Sequence, residues 1–143
     1  MFERPAHQRV ATLLGALDPQ LLQRCQCAFG GGTRIALELG EYRESRDVDF
    51  LVSDADAYAA LRMLVRDGGC SALLTPSARI SLPREARVDQ YAVRFPAVVD
   101  GATSARFANS DALRAHSFDG LAIADDLRAP MLACIVRWAD GLE

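Results

Sequence analysis

The spacing of apolar residues in the first part of the chain predicts two helices followed by a strand. Apolar side chains recur at helical spacing over Pro5–Leu17, and a proline is well suited to the first turn of a helix. Asp18 precedes a second proline and can cap a further short helix. The alternating run CQCAF, residues 25–29, then predicts a strand with both cysteines and the phenylalanine on one face.

The next segments continue the alternation of helix and strand. A helix is predicted over Thr33–Leu39, with Gly40 as its left-handed end. The apolar run DVDFLV, residues 47–52, predicts a second strand. The helix after it can be capped by Ser53 or Asp54 and is ended by a pair of glycines. Its packing face carries Tyr58, Leu61, Leu64 and Val65. This β-α-β-α order is typical of an α/β domain.

Beyond Cys70 the pattern changes to short alternating pieces interrupted by prolines. Asp100-Gly101 follows an apolar run and is a strong hairpin signal, so two or three further strands are expected to extend the sheet in an antiparallel sense. A last helix is predicted after the Asp125-Asp126 pair, with Pro130 in its first turn. Neither a repeat nor a linker interrupts the chain, which predicts a single domain over residues 1–143.

Composition and charge argue against several classes of protein. The formal net charge is −3 and the isoelectric point about 5.4, so no overall positive field indicates nucleic-acid binding, although a local groove can still be basic. No apolar run approaches the length of a membrane span, and the start MFERPAHQR lacks the build of a signal peptide. A cytoplasmic protein without a membrane partner is therefore expected.

The four cysteines do not predict a zinc site. They form no C-x-x-C pair, and neither His7 nor His116 lies near a cysteine in the sequence. The expected state is that of buried structural thiols without disulfides, which are rare in the cytoplasm.

The candidate chemistry lies between Phe29 and Val52. Three glycines and Thr33 open the predicted helix, and such a turn lets backbone N–H groups approach a phosphate. Asp47 and Asp49 lie at i and i+2 of the following strand, so their carboxylates project from one face. Aspartate is scarce inside strands. Carboxylates that hold a divalent metal beside a nucleotide would explain such a pair.

Each of these features also has a purely structural interpretation. The glycines can form a tight strand-to-helix turn, Thr33 can cap its helix, and the two aspartates can be solvated at a strand edge. Arg43 and Arg46 can guide phosphates or simply face solvent. The combination of the glycine turn with the aspartate pair favours metal binding, because neighbouring carboxylates repel each other unless a cation lies between them.

Two segments, GGGTRIAL and ESRDVDF, together form a specific motif, although each alone is common. The residues that carry it are Gly31, Gly32, Thr33, Ala36, Leu37, Arg43, Ser45, Asp47, Asp49 and Phe50. They match the pattern GGT-x-x-A-L, then R-x-S, then D-x-D-F. This pattern resembles the nucleotidyltransferase superfamily, and most closely the branch of the AbiEii-type toxins of abortive-infection and toxin–antitoxin systems. The resemblance weakens towards the end of the chain.

The resemblance implies a mixed β-sheet flanked by helices, within the α/β (α+β) class. Asp47 and Asp49 would bind Mg²⁺ as metal ligands and catalytic residues. The residues that would bind a nucleoside triphosphate are Gly31, Gly32, Thr33, Arg43 and Ser45. The reaction would transfer a nucleoside monophosphate to a hydroxyl of tRNA, of another RNA or of a protein, with pyrophosphate leaving. An antitoxin would be the protein partner.

The chain departs from the family pattern at two places. A third acidic residue, expected shortly after the VDG turn, is replaced by Ala108 in the segment SARFANSD. Asp89 and Asp111 are candidate substitutes, and Asp89 is preferred as a catalytic residue because a strand can bring it near the aspartate pair. The last helix keeps Arg137-Trp138 but not the rest of the lysine and N-x-D-R-W pattern.

Two functions therefore remain open. The first is an active metal-dependent nucleotidyltransferase. The second is a catalytically degenerate copy that keeps the fold as a nucleotide-binding or protein-interaction module. A carboxylate near Asp47 and Asp49 in the folded protein would favour the first, and an apolar environment at Ala108 would favour the second.

Overall fold

The computed structural model describes residues 2–99 and 102–109. The helices are α1 (Pro5–Ala16), α2 (Pro19–Arg24), α3 (Gly31–Glu38) and α4 (Ala55–Gly68), with a 3₁₀ turn at Cys70–Leu73. The strands are β1 (Cys27–Gly30), β2 (Asp47–Val52), β3 (Arg87–Val88), β4 (Ala92–Val98) and β5 (Ala102–Asn109). The order of elements predicted for the first half of the chain is confirmed.

The five strands form one mixed sheet in the order β1-β2-β5-β4-β3. β1 pairs antiparallel with β2, and β4 pairs antiparallel with both β3 and β5. β5 enters between β4 and β2 and runs parallel to β2. The expectation that the later strands extend the sheet only in an antiparallel sense is therefore wrong for this pair. A parallel pair needs a long connection, and the whole segment from α4 to β4 supplies it. The mixed sheet flanked by helices confirms the predicted fold class.

One face of the sheet forms the hydrophobic core together with α1 and α4. The rings of Phe50 and Phe107 stack with their centroids 4.8 Å apart, and Phe29 packs on Phe50 at 5.8 Å. Buried apolar residues of the two helices complete this cluster: Val10, Leu13, Leu61 and Val65. Successive side chains of a strand alternate between faces. Because Phe50 is buried in the core, Asp49 and Asp47 lie on the opposite face.

The predicted helix boundaries are confirmed where a cap or a left-handed glycine defines them. Asp18 accepts hydrogen bonds from two backbone N–H groups at the start of α2, at 2.9 and 3.3 Å. Asp54, and not Ser53, caps α4 by accepting a backbone N–H at 2.7 Å. Gly40 and Gly69 both have a φ of 71°, a conformation that glycine adopts without steric cost, and they end α3 and α4.

Two local predictions are wrong. Cys25 ends α2 instead of joining β1, because the left-handed Gln26 (φ 51°) turns the chain before the strand begins at Cys27. Both cysteines are free thiols, and burial raises the pKa of Cys27 to about 12. Leu64 is 36 % exposed because it lies about 100° around α4 from Val65, outside the packing face.

Several predicted features lie outside the described residues. They are Asp100, Gly101, Asp111, His116, Cys134 and the last helix around Pro130. The strands on either side of the predicted hairpin turn are described, and they pair antiparallel with Val98 opposite Ala102.

The helices of the described residues are short. The longest of them, α4, has 14 residues, and none combines the length and the apolar content that crossing a bilayer requires.

Candidate functional site

The glycine turn and the aspartate strand meet at Gly31. Gly30 of β1 lies opposite Asp49 of β2 in the antiparallel register, so the turn that leaves β1 passes beside the Asp49 side chain. Gly31 has a φ of 73°, and a Cβ at this position would lie 2.6 Å from Oδ2 and 2.8 Å from Cβ of Asp49. Only glycine combines this left-handed backbone with so close an approach. Gly31 and Asp49 are therefore in direct contact.

The first turn of α3 begins at Gly31 and not at the predicted Thr33. Gly30 occupies the N-cap position and provides no side-chain hydrogen bond, so the interpretation of Thr33 as the helix cap is wrong. The first backbone N–H groups of a helix have no partner within it, and they coincide with the positive end of its dipole. A phosphate placed at this turn would accept their hydrogen bonds.

The side chains of Thr33, Ser45 and Arg43 gather around this turn. Thr33 is 1 % exposed, and its Oγ1 lies 2.6 Å from Oγ of Ser45. A terminal guanidinium nitrogen of Arg43 occupies the space next to Gly32 in which a Cβ would stand. Arg43 thus places a positive charge at the start of α3, whereas the exposed Arg46 forms an ion pair with a neighbouring glutamate.

Asp47 and Asp49 share the face of β2 that points away from the core. Asp47 is exposed, and Asp49 is half-buried. Magnesium in nucleotide sites commonly takes one or two protein carboxylates, and phosphates and water fill its remaining positions. Because Gly31 has no side chain, the glycine turn approaches Oδ2 of Asp49 directly, so a phosphate held by the turn would adjoin a metal held by the carboxylates. The donor set fits Mg²⁺.

Position 108, where the resemblance implies a third acid, is apolar and buried. Ala108 is 7 % exposed and lies opposite Leu51, whereas Arg106 lies opposite Asp49. Within residues 2–99 and 102–109, no three or more His, Cys, Asp or Glu side chains are grouped so as to hold a metal ion. The described part of the chain therefore supplies two carboxylates to this site.

Asp89 holds the turn between β3 and β4. Its Oδ1 accepts the backbone N–H groups of Tyr91 and Ala92 at 2.7 and 2.8 Å, and its Oδ2 pairs with Arg94 at 2.8 Å. Tyr58 of α4 donates its hydroxyl to the Asp89 carbonyl at 2.9 Å and so ties the turn to a helix. Two strands, β4 and β5, separate β3 from β2. The structure thus gives Asp89 a role in the turn and does not place it beside the aspartate pair; its catalytic role stays a prediction.

These contacts make the stability contributed by Asp89 dependent on pH. The two backbone hydrogen bonds, followed by Arg94, lower the pKa of Asp89 to about 2, against about 4 in an unfolded chain. The contribution is therefore complete above about pH 4 and is lost as the pH falls towards 2. We expect Asp89→Asn to lower the free energy of unfolding at neutral pH by about 1 kcal/mol, a value reduced for solvent exposure. Denaturant unfolding of both proteins should show this difference shrinking on acidification, and a difference constant with pH would contradict it.

Three arginines form a row of cross-strand neighbours that starts beside Asp49 and runs across the sheet. Arg106 of β5 lies beside Asp49 in register. Arg94 of β4 lies beside Arg106, and Arg87 of β3 lies beside Arg94. Residues paired in neighbouring strands project from the same face, so this arginine row extends about 14 Å from β2 on the face of the aspartate pair. Sequence reasoning missed the row, because local alternation does not reveal how distant strands are aligned.

The innermost arginine of the row has an unused donor. Nε of Arg106 is buried and has no hydrogen-bond partner in the part of the chain that the structure describes. A buried N–H without a partner costs about 1–3 kcal/mol. An anionic ligand beside Asp49 would satisfy it.

A buried histidine, also missed, fixes the loop that precedes Asp47. His7 of α1 is 0 % exposed. Its Nε2 accepts the backbone N–H of Ser45 at 3.1 Å, and its Nδ1 lies 2.6 Å from Oε1 of Glu41. A signal for it exists in the sequence: His7 lies on the apolar stripe of α1 one turn before Val10, and a polar residue buried there has to find partners.

The mixed sheet, together with a glycine turn in contact with a strand aspartate, defines the class of the protein as an α+β domain that carries the nucleotidyltransferase motif. Residues 12–111 match the family model described as "Nucleotidyl transferase AbiEii toxin, Type IV TA system". This match spans more than half of the chain, and the protein therefore belongs to the AbiEii family of nucleotidyltransferase toxins of type IV toxin–antitoxin systems. The resemblance seen in the sequence is confirmed. No curated protein and no solved structure matches the chain.

Proposed function

We propose that the protein is a Mg²⁺-dependent nucleotidyltransferase that transfers a nucleoside monophosphate from a nucleoside triphosphate to a hydroxyl of RNA. The observation that carries this proposal is the contact of Gly31 with Asp49. It joins a helix start suited to phosphate with a carboxylate pair suited to a metal, and transfer from a triphosphate needs both side by side. Membership of the AbiEii family supports the reaction class and an antitoxin as partner.

The nucleotide is held at the start of α3. The backbone N–H groups of Gly31 and Gly32 donate to the phosphates, and Arg43 adds positive charge from above Gly32. Ser45 and the buried Thr33 keep the loop before β2 next to α3 through their hydroxyl pair at 2.6 Å. These residues position the triphosphate and contribute no covalent chemistry.

The acidic side of the site lies on β2. Asp47 and Asp49 would hold Mg²⁺, which when bound supplies neutralisation of the charge that develops on the phosphate oxygens. Arg106, beside Asp49, offers its buried Nε–H to a phosphate oxygen. The described residues thus bind and orient the phosphates from both sides.

The arginine row favours RNA over a protein as the acceptor. Arg94, which also pairs with Asp89, and Arg87 lie at increasing distance from Asp49 on the same sheet face, beyond the position next to the nucleotide. A phosphodiester chain carries a negative charge at each nucleotide and can follow such a row, whereas a protein hydroxyl brings no comparable series of charges.

Removing the outermost arginine should weaken RNA binding. We expect Arg87→Ala to lower the affinity for a short fluorescent single-stranded RNA and to reduce the slope of log K against log salt concentration by about 1, because one phosphate contact is lost. Arg66→Ala is the matched control, since Arg66 is an exposed arginine of α4, which packs on the opposite face of the sheet. Fluorescence anisotropy over a series of salt concentrations measures the affinity and the salt slope for each variant. Equal losses in the two variants would contradict the assignment of the row.

The reaction itself is tested with the four α-labelled nucleoside triphosphates, Mg²⁺ and total RNA or total protein as acceptor. Label in RNA from one or more nucleotides, dependent on Mg²⁺, is the expected result. Label in protein would instead identify a protein hydroxyl as the acceptor. No transfer from any nucleotide by a folded protein would overturn the enzymatic proposal.

The second candidate is a catalytically degenerate nucleotide-binding module. The specific observation in its favour is the buried, apolar Ala108 in place of the third acid that the family pattern implies. Isothermal titration with non-hydrolysable nucleotides separates the two functions. Nucleotide binding without any label transfer would support the module, and binding together with transfer would support the enzyme.

A further inference from the structure

The partners of His7 fix the tautomer of its ring. A backbone N–H can only donate, so Nε2 of His7, at 3.1 Å from the Ser45 nitrogen, must be the acceptor. The proton of the neutral ring is then on Nδ1, which donates to Oε1 of Glu41 at 2.6 Å. The ring is fully buried, and the Phe2 ring packs edge-on against it with the two ring centroids 6.5 Å apart. His7 is therefore held in one orientation with both nitrogens in use.

Glu41 links this histidine to the beginning of the chain. Its carboxylate accepts the backbone N–H groups of Glu3 and Arg4 at 2.8 and 3.2 Å, and its carbonyl accepts Nε–H of Arg4 at 2.8 Å. The hydrogen bond from Glu3, followed by that from His7, lowers the pKa of Glu41, so the carboxylate stays charged. Residues 3 and 4, α1 and the loop after α3 are thereby joined at one point.

The loop between Gly40 and Asp47 exposes most of its charged side chains. Arg43, Glu44 and Arg46 are exposed, so the loop buries few apolar atoms. Segments of this kind open locally at a low cost in free energy unless specific hydrogen bonds hold them. Ser45 supplies two such bonds: its N–H donates to His7, and its hydroxyl pairs with that of Thr33.

We propose that His7 is a positioning residue of the nucleotidyltransferase site, which through the Ser45 backbone holds the loop that carries Arg43 and leads into Asp47. This inference rests on the proposed function and deepens it. Both ring nitrogens of His7 are engaged, by Glu41 and by the Ser45 backbone, so His7 acts through the loop and sets the distance between Thr33 and the start of β2. A misplacement of about 1 Å in such a site can cost as much as 100-fold in rate.

Two substitutions of His7 each preserve one of its two hydrogen bonds and remove the other. The amide oxygen of His7→Gln can stand near the position of Nε2 and accept the Ser45 N–H, but the bond to Glu41 is lost. The amide nitrogen of His7→Asn can stand near Nδ1 and donate to Glu41, but the bond to Ser45 is lost. Both variants lose the buried ring, so any general loss of stability is shared. We expect kcat to fall about 10-fold more in His7→Asn than in His7→Gln at similar thermal midpoints, with rapid hydrogen exchange of the Ser45 amide only in His7→Asn.

Equal kcat values in the two folded variants, or a Ser45 amide that stays protected in His7→Asn, would overturn the proposal. If His7→Asn does not fold, the ¹⁵N chemical shifts of the His7 ring in the unmodified protein provide the test. A proton on Nε2 would exclude the hydrogen bond from Ser45 and overturn the proposal. If the unmodified protein transfers no nucleotide, the proposed function fails. Hydrogen exchange of the Ser45 amide then still shows whether His7 holds the loop. Failure of the proposed function and failure of the positioning role are therefore distinguishable.

Discussion

Replacement of Asp49 by alanine is expected to lower nucleotidyl transfer roughly 100-fold or more, the largest effect of any substitution considered. Asp49 is the residue at which the glycine turn, the carboxylate pair and the arginine row meet. Loss of a metal ligand removes several kcal/mol of charge stabilisation from the transition state, and about 3 kcal/mol corresponds to a factor of roughly 100 in rate. Initial rates of label transfer with saturating Mg²⁺ measure the effect.

The fold should tolerate this change. Asp49 is half-buried on the face opposite the core, and its replacement removes no core side chain, so the free energy of unfolding should change by less than about 1 kcal/mol. Asp67→Ala is a suitable control, because Asp67 is an exposed aspartate of α4, which packs on the opposite face of the sheet. Transfer rates that fall equally in both variants, or a rate that survives in Asp49→Ala, would remove Asp49 from the site.

Gly31→Ala should both destabilise the protein and abolish nucleotide binding. An alanine at a φ of 73° costs about 1–2 kcal/mol in backbone strain. Its Cβ would in addition stand 2.8 Å from Cβ of Asp49, so the turn or β2 has to shift. A shift of either separates the phosphate side of the site from the metal side. Chemical denaturation and nucleotide titration of the same preparation measure the two effects.

Gly32→Ala provides the matched comparison one residue later. The nearest atom to a Cβ there is a terminal nitrogen of Arg43, which can swing away, and alanine is favoured over glycine within a helix. Stability should therefore stay within about 0.5 kcal/mol of the unmodified protein or rise slightly. Nucleotide affinity should fall by a few-fold, because Arg43 is displaced from the start of α3. If Gly32→Ala destabilised the protein as much as Gly31→Ala, the contact with Asp49 would not be the cause.

The parts of the fold that local physics determines were predictable from the sequence. An apolar run located β2, and the capping side chains of Asp18 and Asp54 located the starts of α2 and α4. The glycine turn and the aspartates were recognisable as a motif for the same reason, since a phosphate turn and a carboxylate pair each need particular residues at close spacing. These local signals do not show which strands pair with each other in the sheet.

The alignment of distant segments was not predictable in this way. β5 runs parallel to β2, and only that register makes Arg106 a neighbour of Asp49 and places Ala108 beside Leu51. Asp89 was preferred as a substitute acid because a strand can bring it near the aspartate pair, yet its carboxylate is engaged by the turn that it forms. His7 has no local signature beyond its place on an apolar stripe, and its partners lie in a loop that follows three later elements.

The parallel pairing of β2 with β5 also determines when the site can form. Contacts between segments distant in the chain are the slowest to form during folding, and the N-terminal part of a protein leaves the ribosome first. The strand that carries Asp47 and Asp49 is synthesised early but stays an outer strand, next to β1 alone, until β5 has emerged and inserted beside it. A nascent chain that ends before β5 therefore has the aspartates without Arg106. For a member of a toxin family, this order delays the assembled site until synthesis has passed residue 109.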